Sequence, residues 1–176
     1  MESARRATIA DLPELEQLAR EAIAELLPTR GGALWAQTLG RHEPMAEGFQ
    51  IDLTDPGRLV VVGCVDDVIV GYGMVRLQGL PDGRPLGVVD DLFTHPEARG
   101  IGIGEVMMDL LIEWCRGHHC TGIDAVALPG NRHTKNFFET FGLTARAIVV
   151  HRSLEAPPEL TEAADEADDA SSVVEP

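Results

Sequence analysis

Leu92-Phe93-Thr94-His95-Pro96-Glu97-Ala98-Arg99-Gly100-Ile101-Gly102-Ile103-Gly104 is the stretch on which the fold turns. It reads as a strand running into a proline turn, after which Arg99 and three alternating glycines open an amphipathic helix. Glycine lets the backbone approach a ligand closely and adopt positive φ. Free N–H groups at a helix N-terminus attract anions, aided by the helix dipole. The stretch predicts a phosphate or diphosphate held by the main-chain amides of residues 99–104; the bland alternative is a tight glycine turn with no ligand. Two common phosphate motifs do not fit. A P-loop needs Gly-Lys-Ser/Thr, and the chain's single Lys, Lys135, follows Thr134. The dinucleotide fingerprint needs a third Gly or Ala, where Met107 stands counting from Gly102 and Glu105 counting from Gly100.

Elements fall into place on both sides of this turn. The strand predicted over 86–94 is preceded by two Val-rich strands, 58–65 and 68–77, around the hairpin signal Asp66-Asp67. Residues 11–27 carry Leu12, Leu15, Leu18, Ala19, Ala22, Ile23 and Leu26 at helical spacing, with Asp11-Leu12-Pro13-Glu14 reading as a capping box. Residues 33–50 are ambiguous: Leu34, Trp35 and Leu39 suit a short helix, and the mixed composition beyond them suggests a substrate-side loop. After the glycines, Val106, Met107, Leu110, Leu111 and Trp114 form one helical face. A strand over 123–128, a helix over 131–141 closed by Gly142, and a last strand over 145–154 complete the domain. Trp35 and Trp114 read as core. The order implies an α+β, or mixed α/β, fold with one mostly antiparallel central sheet flanked by helices.

The chain has 176 residues and a formal charge of −15. Eight acids and no base lie in 155–176, which leaves 21 acids against 14 bases before it. A domain over 1–155 followed by an acidic, disordered tail over 156–176 is the expected organisation. The acidic balance argues against nucleic acid as a partner, and no apolar run suits a membrane. With no leader pattern at its start, the chain is expected to be cytoplasmic. Cys64, Cys115 and Cys120 read as reduced thiols. His118-His119 lacks ligand spacing, so no metal is expected.

Arg99…Gly102…Gly104, after a strand with Leu92, Thr94 and Pro96, resembles the acetyl-CoA signature of the GNAT N-acetyltransferase superfamily. Asn131…Phe137-Phe138-Glu139…Phe141-Gly142-Leu143, the hairpin end Val70-Gly71-Tyr72-Gly73, and the opening Arg6-Ala7-Thr8 with Asp11 resemble other parts of the same pattern. The resemblance covers roughly residues 5–154. It implies a sheet splayed at its fourth strand and acetyl-CoA as co-substrate. The backbone of Leu92, Phe93 and Thr94 would pair with the pantetheine arm, and the amides of Arg99, Gly100, Ile101, Gly102, Ile103 and Gly104 would hold the diphosphate. Asn131 would bond the pantetheine region, and Phe138 would lie near the thiol. Phe138 departs from the pattern, which often has a Tyr there as general acid. The resemblance also allows a homodimer.

An amine acceptor must lose a proton before it attacks, so a base is needed. Asp91 is the first choice. Strand alternation sets Asp91 with Phe93 on one face and Asp90 with Leu92 on the other; the rival reading is that one Asp pairs with an Arg and the other caps or faces water. His95, His133, and His42 with Glu43 are the second source, while Tyr72 reads as packing. The expected activity is acetyl transfer from acetyl-CoA to a primary amine of a small cationic molecule or a protein, by direct attack in a ternary complex. A non-catalytic acyl-CoA sensor on the same scaffold and an unrelated phosphate-ester-binding domain are the alternatives.

Overall fold

A computed structural model describes residues 1–154. The chain divides into two units, Met1–Thr144 and a second beginning at Ala145. The first unit opens with β1 (Glu2–Arg6) and a 3-10 turn, followed by α1 (Leu12–Leu26), α2 (Gly32–Thr38) and α3 (Met45–Thr54). Then come β2 (Arg58–Val65), β3 (Val68–Gly79), β4 (Pro85–Thr94), α4 (Ile103–Gly117), β5 (Ile123–Ala125) and α5 (Arg132–Thr140). The five strands lie in chain order in one sheet. The first three pairings are antiparallel, and β4 runs parallel to β5. The α+β architecture read from the sequence is the one observed.

Alternation along β2 explains the layers. Val60 and Val62 point into a core with Leu15, Leu18 and Ala19 of α1 and Phe49 of α3. Leu59 and Val61 point the other way, into a core with Met107, Met108, Leu111 and Trp114 of α4 and Phe138 of α5. Met107, Met108 and Leu111 are wholly buried, and each such side chain contributes about 1.5–3 kcal/mol. The helix sits close because Gly63 leaves room: a Cβ there would stand 2.6 Å from Ile103 Cγ2 and 2.9 Å from Met107 Sδ. The β2–β3 hairpin turns at Asp66 and Asp67, both at positive φ, as a two-residue turn requires.

Four sequence readings change. Asp11 precedes α1 but does not cap it with its side chain. Its carboxylate turns back to accept from Thr8 N at 2.7 Å, and from Arg5 at 2.8 Å on each oxygen. The region expected as a loop contains α3, whose Met45 and Phe49 are buried one turn apart. Trp35 is half-buried and lies outside the core. Residues 145–154 form no strand, and Ile148, Val149, Val150 and Leu154 are exposed. The run has strand propensity but no ladder, and propensity without a paired neighbour does not make a strand. The acidic tail read over 156–176 lies outside the described residues. Among those residues, no helix is long and apolar enough to cross a membrane.

The Asp11 cluster carries a stability prediction. Hydrogen bonds from Arg5, then Thr8, lower the Asp11 carboxyl to about 2 against the pull of burial. A depressed carboxyl contributes stability above its unfolded value near 4, lost as pH falls towards 2. After allowance for the half-exposed Arg5, the contribution is about 1–2 kcal/mol. Asp11→Asn should lower Tm by a few degrees at pH 7 in a thermal melt, and that difference should shrink as the pH falls through this window.

Candidate active site

The ladder between β4 and β5 is short. It joins Gly87, Val88 and Val89 to Ile123, Asp124 and Ala125, and ends there. The opposite edge of β4 stays paired to the end, with Leu92 opposite Gly73, Phe93 opposite Tyr72 and Thr94 opposite Gly71. From Asp90 onwards, then, the β5-facing edge of β4 has no strand partner among the described residues. This is the splay expected at the fourth strand, and it leaves the β4 backbone at Leu92, Phe93 and Thr94 as a wall with no strand across from it on that side.

At the end of that wall the chain turns through Pro96–Ala98 into α4. Gly100 and Gly102 stand at φ +75° and +96°, and a Cβ on either would meet no atom within 4 Å. Their conformation needs glycine, and the space before them is open. No acceptor among the described residues bonds the amides of Gly100, Ile101 or Gly102. The next three N–H groups belong to the first turn of α4 and lack helical partners by geometry. Ile103 turns inward, wholly buried, while Ile101 is exposed. Unbonded amides, glycine clearance and a helix N-terminus fit a diphosphate.

Charged side chains surround this corner. Arg99 Nε donates to Thr94 O at 2.9 Å, and Nη2 meets Glu25 of α1 at 2.6 Å. Glu21, one turn earlier on α1, lies 3.9 Å from His95 Nε2. Asn131 caps α5 by accepting from Thr134 N at 3.1 Å, which leaves its amide donors for other contacts. Phe137 rests on the first turn of α4, 3.1 Å from where a Gly104 Cβ would stand. Phe138 is buried in the α4 core and offers only ring carbon to anything nearby.

The acid expected at Asp91 lies in a buried network. Asp91 Oδ2 meets Arg41 Nε at 2.8 Å and Nη2 at 2.7 Å, and Oδ1 accepts from Tyr72 Oη at 3.1 Å. Arg41 Nη1 continues to Asp52 Oδ2 at 2.8 Å, and Asp52 Oδ1 pairs with Arg58 Nη1. The Arg41 guanidinium stacks 3.8 Å from the centre of the Phe49 ring. Burial pushes the Asp91 carboxyl above its ordinary range, against Arg41 and Tyr72. Burial also works against the Arg41 cation, but Asp91 and Asp52 outweigh it and Arg41 stays charged. Tyr72 is held well above 10 by burial, then by Asp91. It therefore packs, as expected, and also bonds the acid.

Alternation along β4 fails at Asp90. Met74 pairs with Asp91 and Val75 with Val89, so Asp90 is an extra residue in a β-bulge. The bulge brings Asp90 and Asp91 to the same cavity of about 450 Å³, bounded by α2, α3 and strands β2 to β4. Asp90 Oδ2 accepts from Arg76 Nε at 2.8 Å, while Oδ1 has no partner among the described residues. Burial raises the Asp90 carboxyl, opposed by Arg76. Sequence reasoning set Asp90 on the face opposite Asp91, which the bulge changes, and did not single out Arg41, Asp52, Arg58 or Arg76. None of the three cysteines lines this cavity, and burial pushes the Cys115 thiol up to about 12.

A family model described as Acetyltransferase (GNAT) family matches residues 18–143. No curated protein sequence matches the chain. Among solved structures, a transcriptional regulator from Bacillus halodurans C-125 is 21% identical with a TM-score of 0.67, over 87% of this chain and 99% of that one. AAC(6')-Iy, solved with the bisubstrate analogue CoA-S-monomethyl-acetylneamine, is 14% identical with a TM-score of 0.68, over 89% and 99%. The ribosomal-protein-alanine N-acetyltransferase of Brucella melitensis biovar Abortus 2308 is 19% identical with a TM-score of 0.64, over 87% and 99%.

Proposed function

The chain belongs to the GNAT family of acetyltransferases, and we propose that it moves an acetyl group from acetyl-CoA to the primary amine of a small molecule or a protein. The observation that carries this reading is the juxtaposition of an open β4 edge with the unbonded amides of Gly100, Ile101 and Gly102. Acetyl-CoA would supply a thioester whose carbonyl carbon is attacked directly by the amine, forming C–N and breaking C–S. The β4 backbone at Leu92, Phe93 and Thr94 would align the pantetheine arm, with an amide near Phe93 facing the developing oxyanion. Asn131 would bond the arm, and Phe138 would wall the thiol end without giving a proton. A thiolate of pKa about 8.5 leaves with modest help, so solvent suffices as proton donor.

The Asp90–Asp91 pair would receive the amine's proton. Asp91 is held by Arg41 and Tyr72, and Asp90 Oδ1 is the oxygen open to the cavity. Both carboxyls are raised, which makes them better bases than exposed acids. Neighbours of the same fold include one named for a protein amine and one bound to a CoA-linked acetylneamine, which supports keeping small-molecule and protein acceptors together. The test is release of free thiol from acetyl-CoA across a broad amine panel, with acetylated product confirmed by intact mass. Thiol release with product formation supports transfer. CoA binding with no release from any amine would favour the second reading, a non-catalytic acyl-CoA sensor, which the proton-free Phe138 supports.

A further inference from the structure

Arg58 and Arg76 are direct cross-strand partners in the β2–β3 pair, so two guanidinium side chains rise from one face of the sheet. Like charges placed opposite one another are destabilising. Both line the cavity that also holds Asp90 and Asp91. We propose that this cavity takes an amine that also carries an anionic group, with Arg58 and Arg76 holding the anion and Asp90 holding the ammonium. The inference rests on the acceptor site described above and names the class of molecule that enters it.

The donor inventory separates the three arginines. A guanidinium has five N–H donors in a fixed fork. Arg41 is only 12% exposed, pairs through Nε with Asp91 and through Nη1 with Asp52, and is stacked on Phe49; its Nη2 lies 2.7 Å from Asp91 Oδ2 but is buried and makes no hydrogen bond. Arg41 therefore builds the cavity, while the exposed donors at its rim belong to Arg58 and Arg76. Arg58 pairs through Nη1 with Asp52 and through Nε with Asp55, but Nη2 has no partner among the described residues. Arg76 pairs through Nε with Asp90, reaches Gln78 Oε1 only at 3.4 Å through Nη1, and likewise leaves Nη2 without a partner there. Both are about one-third exposed, which suits a rim that a ligand completes.

Charge selects the ligand. Arg41, Arg58 and Arg76 balance Asp52, Asp90 and Asp91, so the lining is formally neutral. A polycation would set its second ammonium against the arginine pair, and a simple anion would meet Asp90. A molecule with one ammonium and one carboxylate or phosphate answers both ends. Planar guanidinium groups bond such oxyanions bidentately. The cavity's volume suits a small molecule.

The experiment measures kcat/KM by thiol release for length series of ω-amino acids, aminoalkyl phosphates and matching alkylamines and diamines. The expected result is a preference of roughly tenfold or more for one anionic series over the alkylamine of equal length, as two charge-assisted contacts imply. The carboxylate and phosphate arms tell which oxyanion fits. Arg76→Gln should raise KM for the anionic amine roughly 10- to 100-fold, leave KM for acetyl-CoA unchanged, and erase the preference; Arg76→Lys should recover part of it. Arg58→Gln gives a second reading should Arg76→Gln fail to fold. Equal or better turnover of alkylamines or diamines would overturn the proposal while leaving acetyl transfer intact. If no amine releases thiol, the transferase reading fails. Calorimetry on CoA-loaded protein then decides the inference: Arg76-dependent binding of the anionic amines supports it, and no binding overturns it.

Discussion

Gly102→Glu should fold and lose CoA. Gly102 stands at φ +96° with nothing within 4 Å of its would-be Cβ, so a side chain there meets no protein atom. Positive φ costs a non-glycine residue about 1–3 kcal/mol, which a domain of ordinary stability tolerates. The added carboxylate lands in front of the amides of Gly100, Ile101 and Gly102, where it fills the space and repels a diphosphate. Losing two charge-assisted contacts of about 1.5–3 kcal/mol each implies a rise in Kd of roughly 10²-fold or more. Gly102→Ala is the control, since it carries the same strain without charge and should weaken binding much less. Far-UV circular dichroism checks folding, and calorimetry with CoA reads the affinity. A glutamate variant that binds CoA normally would contradict the amide cradle.

The second large effect separates the two acids of the bulge. Asp90→Asn should lower kcat by roughly 10²–10⁴, the ordinary weight of a general base. The Asp90 carboxyl is raised by burial, so the wild-type rate should fall as pH drops through that raised value, and the variant should lack this limb. Stability should change little, because the Arg76–Asp90 pair is about one-third exposed on both sides. Asp91→Asn should behave differently. Arg41 keeps Asp52 but loses the carboxylate that met both Nε and Nη2, at a cost of about 1–3 kcal/mol, seen as a fall in Tm. Its rate loss should track the disturbed position of Asp90. If Asp91→Asn alone removed the acidic limb and Asp90→Asn kept it, the open oxygen would not be the proton acceptor.

What the sequence made legible follows from local chemistry. The glycine corner was readable because positive φ and a helix start are written in residues 99–104 themselves. The β2–β3 hairpin was readable because Asp66-Asp67 suits a turn with both residues at positive φ. The acceptor cavity was not readable, because two irregularities set it. Counting outwards from the turn pairs Arg58 with Val75; the register shift at Gly63/Cys64 moves Arg58 opposite Arg76 and puts both arginines on one face. The bulge at Asp90 does the same for the two acids. Neither leaves a mark in the hydrophobic pattern, and alternation predicts the opposite facing in both cases. Arg41 and Asp91, fifty positions apart, meet only through the fold. The run over 145–154 shows the reverse error, a strand composition without a strand.

The most direct test is an amide-resolved NMR titration of the full chain with CoA. The account predicts the largest shifts at the amides of Gly100, Ile101, Gly102, Ile103 and Gly104, with smaller ones at Leu92, Phe93 and Thr94. Saturable CoA binding that leaves those amides unmoved would contradict it.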